Sequence, residues 1–135
     1  FSTSDISIFT AAVADYKPNI IAKNKIKKSD NNLNISLEKT VDILAEMGNK
    51  KSDKQFIVGF ALETDNEVEN AKDKFKRKNL DMIVLNSLNN KGAGFQHNTN
   101  KITIIDKANN ISNFELKDKS EVAKDVIDKI IELSE

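Results

Sequence analysis

Gln55-Phe56-Ile57-Val58-Gly59-Phe60-Ala61 is an apolar, partly β-branched run of strand length, and Thr64-Asp65-Asn66-Glu67 follows it in the pattern of a helix-capping box. Val68, Ala71 and Phe75 then recur at helical spacing, which predicts a helix ending near Asn79. Leu80-Asp81-Met82-Ile83-Val84-Leu85 is a second strand-type run. A strand, a helix and a strand in close succession are expected to place the two strands parallel, joined by a right-handed crossover. The chain is therefore of the α/β class.

Outward from this unit the same patterns continue. Ile6 to Ala14 is a short apolar run that predicts a buried strand, entering a loop at Asp15-Tyr16-Lys17-Pro18. Residues Asn19 to Asn34 are polar and basic with little period, which predicts a mobile excursion centred on Lys25 to Asp30. Asn34 to Glu38 alternates as a strand, and Val41 to Met47 reads as a short helix with Gly48 as its stop. Downstream, Asn86 to Asn100 is a turn-rich loop holding Gly92, Gly94 and the single histidine, His97. Lys101 to Asp106 and Asn113 to Leu116 are late strands, with a hairpin expected across Ala108 to Ser112. Ser120 is placed as the cap of a last helix with an apolar stripe at Val122, Ala123, Val126, Ile127, Ile130 and Ile131. No internal repeat or linker divides the chain.

With 135 residues the chain is one domain's worth, and a globule of that size buries roughly two thirds of its unfolded surface. Lys plus Arg (21) equals Asp plus Glu (21), so no net field draws the protein to nucleic acid or an acidic membrane. An RNA-binding domain is disfavoured further by the lack of a basic strip with interleaved aromatics. Cysteine is absent, which excludes disulfides and Cys-ligated metals and agrees with a cytoplasmic location. The longest apolar stretch falls far short of the ~20 residues a membrane helix needs. The chain starts at Phe1 without an initiator methionine, and is expected to be cut from a longer one.

In open α/β sheets ligands gather at the carboxyl ends of parallel strands, which points to Asp15, Phe60, Glu63 and Asn86. Each position also has a plain structural reading. Asp15 is a good turn former after a strand, and Phe60 a good core aromatic. Lys25, Lys27 and Lys28 form a basic cluster that is either solvated surface or a loop able to close over a polyphosphate. Lys74 and Lys78 share one side of their helix, where they suit the macrodipole or reach a phosphate. No dinucleotide or Walker glycine motif occurs, and Gly92-Ala93-Gly94-Phe95 is too short to define a phosphate loop. His97, alone, suits neither a metal cluster nor a serine-hydrolase triad.

Four strings carry a resemblance: Ala11-Ala12-Val13-Ala14-Asp15-Tyr16-Lys17-Pro18, Lys25-Ile26-Lys27-Lys28, Gly59-Phe60-Ala61-Leu62-Glu63-Thr64, and Arg77-Lys78-Asn79-Leu80-Asp81-Met82-Ile83-Val84-Leu85-Asn86. In that order and spacing the chain resembles phosphopantothenate-cysteine ligase, in its bacterial form, over nearly all its length. The resemblance implies a three-layer, Rossmann-like, mostly parallel sheet with flanking helices and a late antiparallel hairpin. It also implies that the N-terminal strands and a glycine-rich nucleotide-binding stretch lie upstream, so that residues 1–135 are the C-terminal part of one nucleotide-binding ligase domain with a flap at about 19–34. The implied reaction joins phosphopantothenate to cysteine through an acyl-cytidylate, with CTP as co-substrate (ATP the alternative) and Mg²⁺ present. FMN enters only if a decarboxylase domain is fused upstream.

By the same resemblance Lys25, first lysine of the Lys-X-Lys-Lys motif, is the catalytic flap residue. Asp15, Lys25, Phe60, Lys74 and Lys78 are expected to bind nucleotide, and the segment of Asp15 to share in a homodimer contact. Val41-Asp42-Ile43-Leu44 matches the family's Pro-Asp-Ile-Leu string, whose backbone lies against the base. Val41 departs from it, and a second departure is Asn98 in His97-Asn98-Thr99-Asn100, where many members carry Asp before Thr-Asn; no metal ligand is assigned. The isolated fragment is expected to be inactive. The alternative is a non-catalytic nucleotide-binding or dimerisation module of the same fold.

Overall fold

A computed structural model describes residues 1–27, 32–87, 89 and 97–134. The expectations at Lys28, at Asp30 and at Gly92-Ala93-Gly94-Phe95 lie outside the described residues. The central sheet has five strands in the order β1 (Ile6–Phe9), β4 (Phe56–Glu63), β5 (Met82–Ser87), β7 (Ile102–Asp106) and β8 (Ile111–Asn113). β1, β4 and β5 run parallel, with Val58 opposite Met82 and Phe60 opposite Val84, whereas β7 and β8 join antiparallel. The chain thus has the α/β class and the late hairpin expected of it.

Helices cover both faces, as the two-sided burial of β4 and β5 requires. On one face α3 (Lys119–Ser134) packs Val122, Val126 and Ile130 against Val58, Met82, Val84, Ile102 and Ile104. On the other, Leu44 and Met47 of α1 (Ile43–Lys50) and Val68, Ala71 and Phe75 of α2 (Glu67–Arg77) cover Ile57, Ile83, Leu85 and Ile105. Each fully buried Ile, Leu or Met in these layers contributes about 1.5–3 kcal/mol.

Several local expectations are corrected. The Ile6 to Ala14 run is a strand only to Phe9 and is half-exposed, because among the described residues β1 pairs on one side only, with β4. Tyr16–Pro18, expected as loop, is β2, paired antiparallel with β3 (Leu37–Lys39), and Lys17 reaches its cross-strand neighbour Glu38 at 3.2 Å. The capping box does not form: Asn66 is the N-cap, left-handed at φ 43°, and its side chain makes no cap bond. Ser120 lies inside α3, which follows directly on β9 (Lys117–Asp118), a strand paired with β6 (Thr99–Asn100). The hairpin turns at residues 107–110, because Asn109 takes φ 67° and Asp106, nearly fully buried, accepts both the Asn110 backbone N–H (2.9 Å) and its side-chain amide (3.0 Å). The late strand is therefore Ile111–Asn113 rather than Asn113 to Leu116.

Gly48 does not stop α1. It is buried within the helix, and a Cβ there would lie 1.8 Å from the carbonyl oxygen of Lys78. The last turn of α1 and the C-terminal end of α2 touch here. Asn79, left-handed at φ 50°, ends α2 and donates its amide to the Gly48 carbonyl at 2.9 Å.

Candidate nucleotide cleft

Close packing of α1 on the sheet places the cleft. Gly59 has no side chain, and a Cβ there would meet Leu80 Cδ1 at 2.7 Å and Leu44 Cδ2 at 2.9 Å. Leu44 therefore sits low on β4, and the residues before it reach the carboxyl end of β1. A cleft of about 220 Å³ opens there between residues 11–15 and 40–44, with Phe9, Phe60 and Lys78 completing its lining. Thr40 clamps the two segments together: its backbone N–H donates to the Asp15 carbonyl at 2.9 Å and its hydroxyl to the Ala14 carbonyl.

Asp42 does two things at the cleft edge. Its carboxylate caps α1 by accepting the Ala45 N–H at 3.0 Å, and it holds the Lys78 ammonium at 2.9 Å. Burial opposes its charge, but the Ala45 N–H and the Lys78 ammonium outweigh that cost, so the carboxyl titrates below its ordinary 3.8. A depressed folded-state value means that the stabilisation is present above the unfolded value and is lost as pH falls through the folded one. The stability difference between the native chain and Asp42→Asn is expected to be constant above about pH 5 and to close below about pH 4 in urea titrations. A gap that persists unchanged in acid would contradict this. Asp42→Ala, losing the cap as well, is expected to cost about 1 kcal/mol.

Of the residues singled out in the sequence, Asp15, Val41, Asp42, Ile43, Leu44, Phe60 and Lys78 come together in this cleft. Phe60 also packs against the α3-side core, so both of its readings hold in part. Lys25 lies exposed on the excursion between β2 and β3, outside the cleft lining, and Lys74 is turned to Glu63 at 2.9 Å. Thr40 is the residue that pattern reading missed, and Glu63, singled out at a strand end, was given no partner there. Thr40 carries no local signal, since its partners are 25 and more residues away. Among the described residues no group of three or more His, Cys, Asp or Glu side chains could hold a metal ion, and no helix is long and apolar enough to cross a membrane.

Residues 1–133 match the family model described as DNA/pantothenate metabolism flavoprotein C-terminal domain. The chain belongs to this family. Members similar to it include a cysteine/cysteine sulfinic acid decarboxylase from an unknown prokaryotic organism, 58% identical over 98% of this chain and 37% of that protein. The coenzyme A biosynthesis bifunctional protein CoaBC of Bacillus subtilis (strain 168) is 41% identical over 99% of this chain and 33% of its own length. The crystal structure of the C-terminal domain of a CoaBC superposes with a TM-score of 0.73 at 36% identity, covering 96% of this chain and 54% of that one. The resemblance to the C-terminal part of phosphopantothenate-cysteine ligases, and the Rossmann-like fold it implied, are borne out. As a family member the chain spans about a third of the length of these curated relatives.

Proposed function

We propose that residues 1–135 are the C-terminal part of a nucleotide-binding ligase domain that joins phosphopantothenate to cysteine through an acyl-cytidylate, as a step of coenzyme A synthesis. One observation carries this reading: Asp15, the 41–44 backbone, Phe60 and Lys78 converge on one cleft at the carboxyl end of β1. The CoaBC relatives support it by name.

In this reading the base lies against the 41–44 backbone, which needs no proline at Val41 because peptide groups supply the hydrogen bonds. Asp15 has its backbone committed to Thr40 and its exposed carboxylate available to ribose or base donors. Lys78 faces the phosphates. The phosphopantothenate carboxylate attacks the α-phosphate and pyrophosphate departs; the amine of cysteine then attacks the acyl carbon, breaking the acyl–phosphate bond and releasing CMP. Lys25 swings over the cleft and orients the mixed anhydride, with its ammonium offsetting negative charge. No protein nucleophile is needed. The described acidic groups do not form a cage for Mg²⁺, so the ion would be held chiefly by the phosphates, as Mg²⁺ commonly is.

A homodimer is part of the proposal, supported by the strongly exposed Val13, Tyr16, Ile20, Ile21, Ile26, Leu33, Ile35 and Leu37 on and around the β2–β3 ribbon. The relative named as a decarboxylase favours a fused domain upstream, which is where FMN would belong.

The test is calorimetric titration with CTP and Mg²⁺, then with ATP, alongside pyrophosphate release by the full-length protein given phosphopantothenate and cysteine. Saturable binding that prefers CTP, with pyrophosphate released, is the expected outcome. Lys25→Ala should lower turnover by about 10- to 100-fold, the equivalent of one charged hydrogen bond. Binding without pyrophosphate would favour the non-catalytic module instead.

A further inference from the structure

Lys74, in the last turn of α2, and Lys78, its C-cap, are four residues apart on the same side, about 6 Å along the helix axis. Each ammonium is held by a carboxylate from another element: Lys78 by Asp42 at 2.9 Å, Lys74 by Glu63 at 2.9 Å. Glu63 is the last residue of β4, at the carboxyl end of a parallel strand and opposite Ser87 at the end of β5. Its second oxygen accepts a long 3.4 Å bond from the Asn70 amide, which is itself anchored on the Asp65 carbonyl at 2.8 Å. Glu63 is thus fixed before any ligand arrives.

We propose that Glu63 is a positioning residue, which holds the Lys74 ammonium at the carboxyl end of β4 so that it meets the polyphosphate of a nucleoside triphosphate already oriented. The proposal rests on the nucleotide reading above. A lysine has three N–H donors, and the bond to Glu63 uses one, leaving two for phosphate oxygens. Its flexible stem loses rotamer freedom when it is fixed, and anchoring it beforehand removes that cost from ligand binding. The pair is not needed to hold α2 in place, because Val68, Ala71 and Phe75 already dock that helix on the sheet. A partly exposed ion pair adds little to stability beyond such packing.

The experiment is steady-state pyrophosphate release by the full-length protein with CTP varied, for the native enzyme, Glu63→Gln, Glu63→Asp, Lys74→Met and the Glu63→Gln/Lys74→Met double variant. Glu63→Gln and Lys74→Met should each raise the nucleotide KM about tenfold, the range of one charged contact. Turnover should stay within about twofold, because the lost contact serves binding. The double variant should be no worse than Lys74→Met alone, since Glu63 acts only through Lys74. Glu63→Asp should recover much of the affinity, and it decides the matter if Glu63→Gln does not fold. A nucleotide KM for Glu63→Gln equal to or below native, or effects that multiply in the double variant, overturns the positioning role. Lys74→Met would still raise KM in that case, and the nucleotide reading would stand. If Lys74→Met leaves KM unchanged, Lys74 does not meet the nucleotide and this proposal falls while the cleft reading stands; if the native protein releases no pyrophosphate from CTP or ATP, the ligase reading falls and this proposal with it.

Discussion

Asp81→Asn should lower folding stability by about 3 to 5 kcal/mol, the cost of breaking a buried ion pair by removing one partner. Asp81 is nearly fully buried just before β5 and serves three groups at once. Lys51, itself almost inaccessible, donates to Oδ2 at 2.6 Å, the Ile57 N–H donates to the same oxygen at 2.8 Å, and Lys107 approaches Oδ1 at 3.4 Å. The amide could still accept from Ile57, but the Lys51 ammonium would be left buried without a counter-charge. For a domain of this size the loss should appear as a fall of about 10 to 20 °C in Tm. Adding Lys51→Met should restore much of it, because an apolar replacement of both partners removes the desolvation cost as well. A loss below about 1 kcal/mol would show that Lys51 reaches solvent easily, contrary to its burial. Nucleotide affinity of the folded fraction should be unchanged, since Asp81 precedes β5 and the cleft lies at the carboxyl ends of the strands.

Gly48→Ala is the second large effect, and its sign is diagnostic. In an open helix the change would gain about 1 kcal/mol from propensity. Here the new methyl would meet the Lys78 carbonyl oxygen at 1.8 Å and its carbon at 2.9 Å, both backbone atoms that cannot rotate away. α1 and α2 must separate, which should outweigh the propensity gain and leave a net loss of about 1 to 3 kcal/mol in urea unfolding. Because Lys78 and Asp42 lie on the two helices being forced apart, nucleotide affinity should fall as well. A stabilised Gly48→Ala protein would refute the close contact.

The elements most legible in the sequence were those whose signal is local. Phe56–Glu63, the α2 periodicity of Val68, Ala71 and Phe75, and Met82–Ser87 follow from apolar patterning, since burial on both faces demands continuous apolar runs. The misreadings share a physical cause. Gly48 was expected to end a helix because glycine commonly does so, yet it is needed for a helix crossing, a contact 30 residues away in the chain. The ribbon of Tyr16–Pro18 and Leu37–Lys39 was half missed because a proline and an exposed face give no burial pattern.

The cleft divides along the same line. Asp15, Phe60, Lys78 and the 41–44 string are conspicuous as residue types at strand ends and in motifs, and no fold was needed to single them out. That they meet, while Lys74 pairs with Glu63 beyond the cleft lining and Lys25 stays outside it, depends on where α1 and α2 settle on the sheet. That placement follows from two missing side chains, at Gly48 and Gly59, and from the Thr40 clamp on residues 14 and 15. Patterning along the chain was enough for the α/β class, the central strands and the candidate chemistry, because hydrophobic period and residue type are local properties. Which candidates share one cleft was decided by tertiary packing, because steric contact and hydrogen bonding join residues far apart in the sequence.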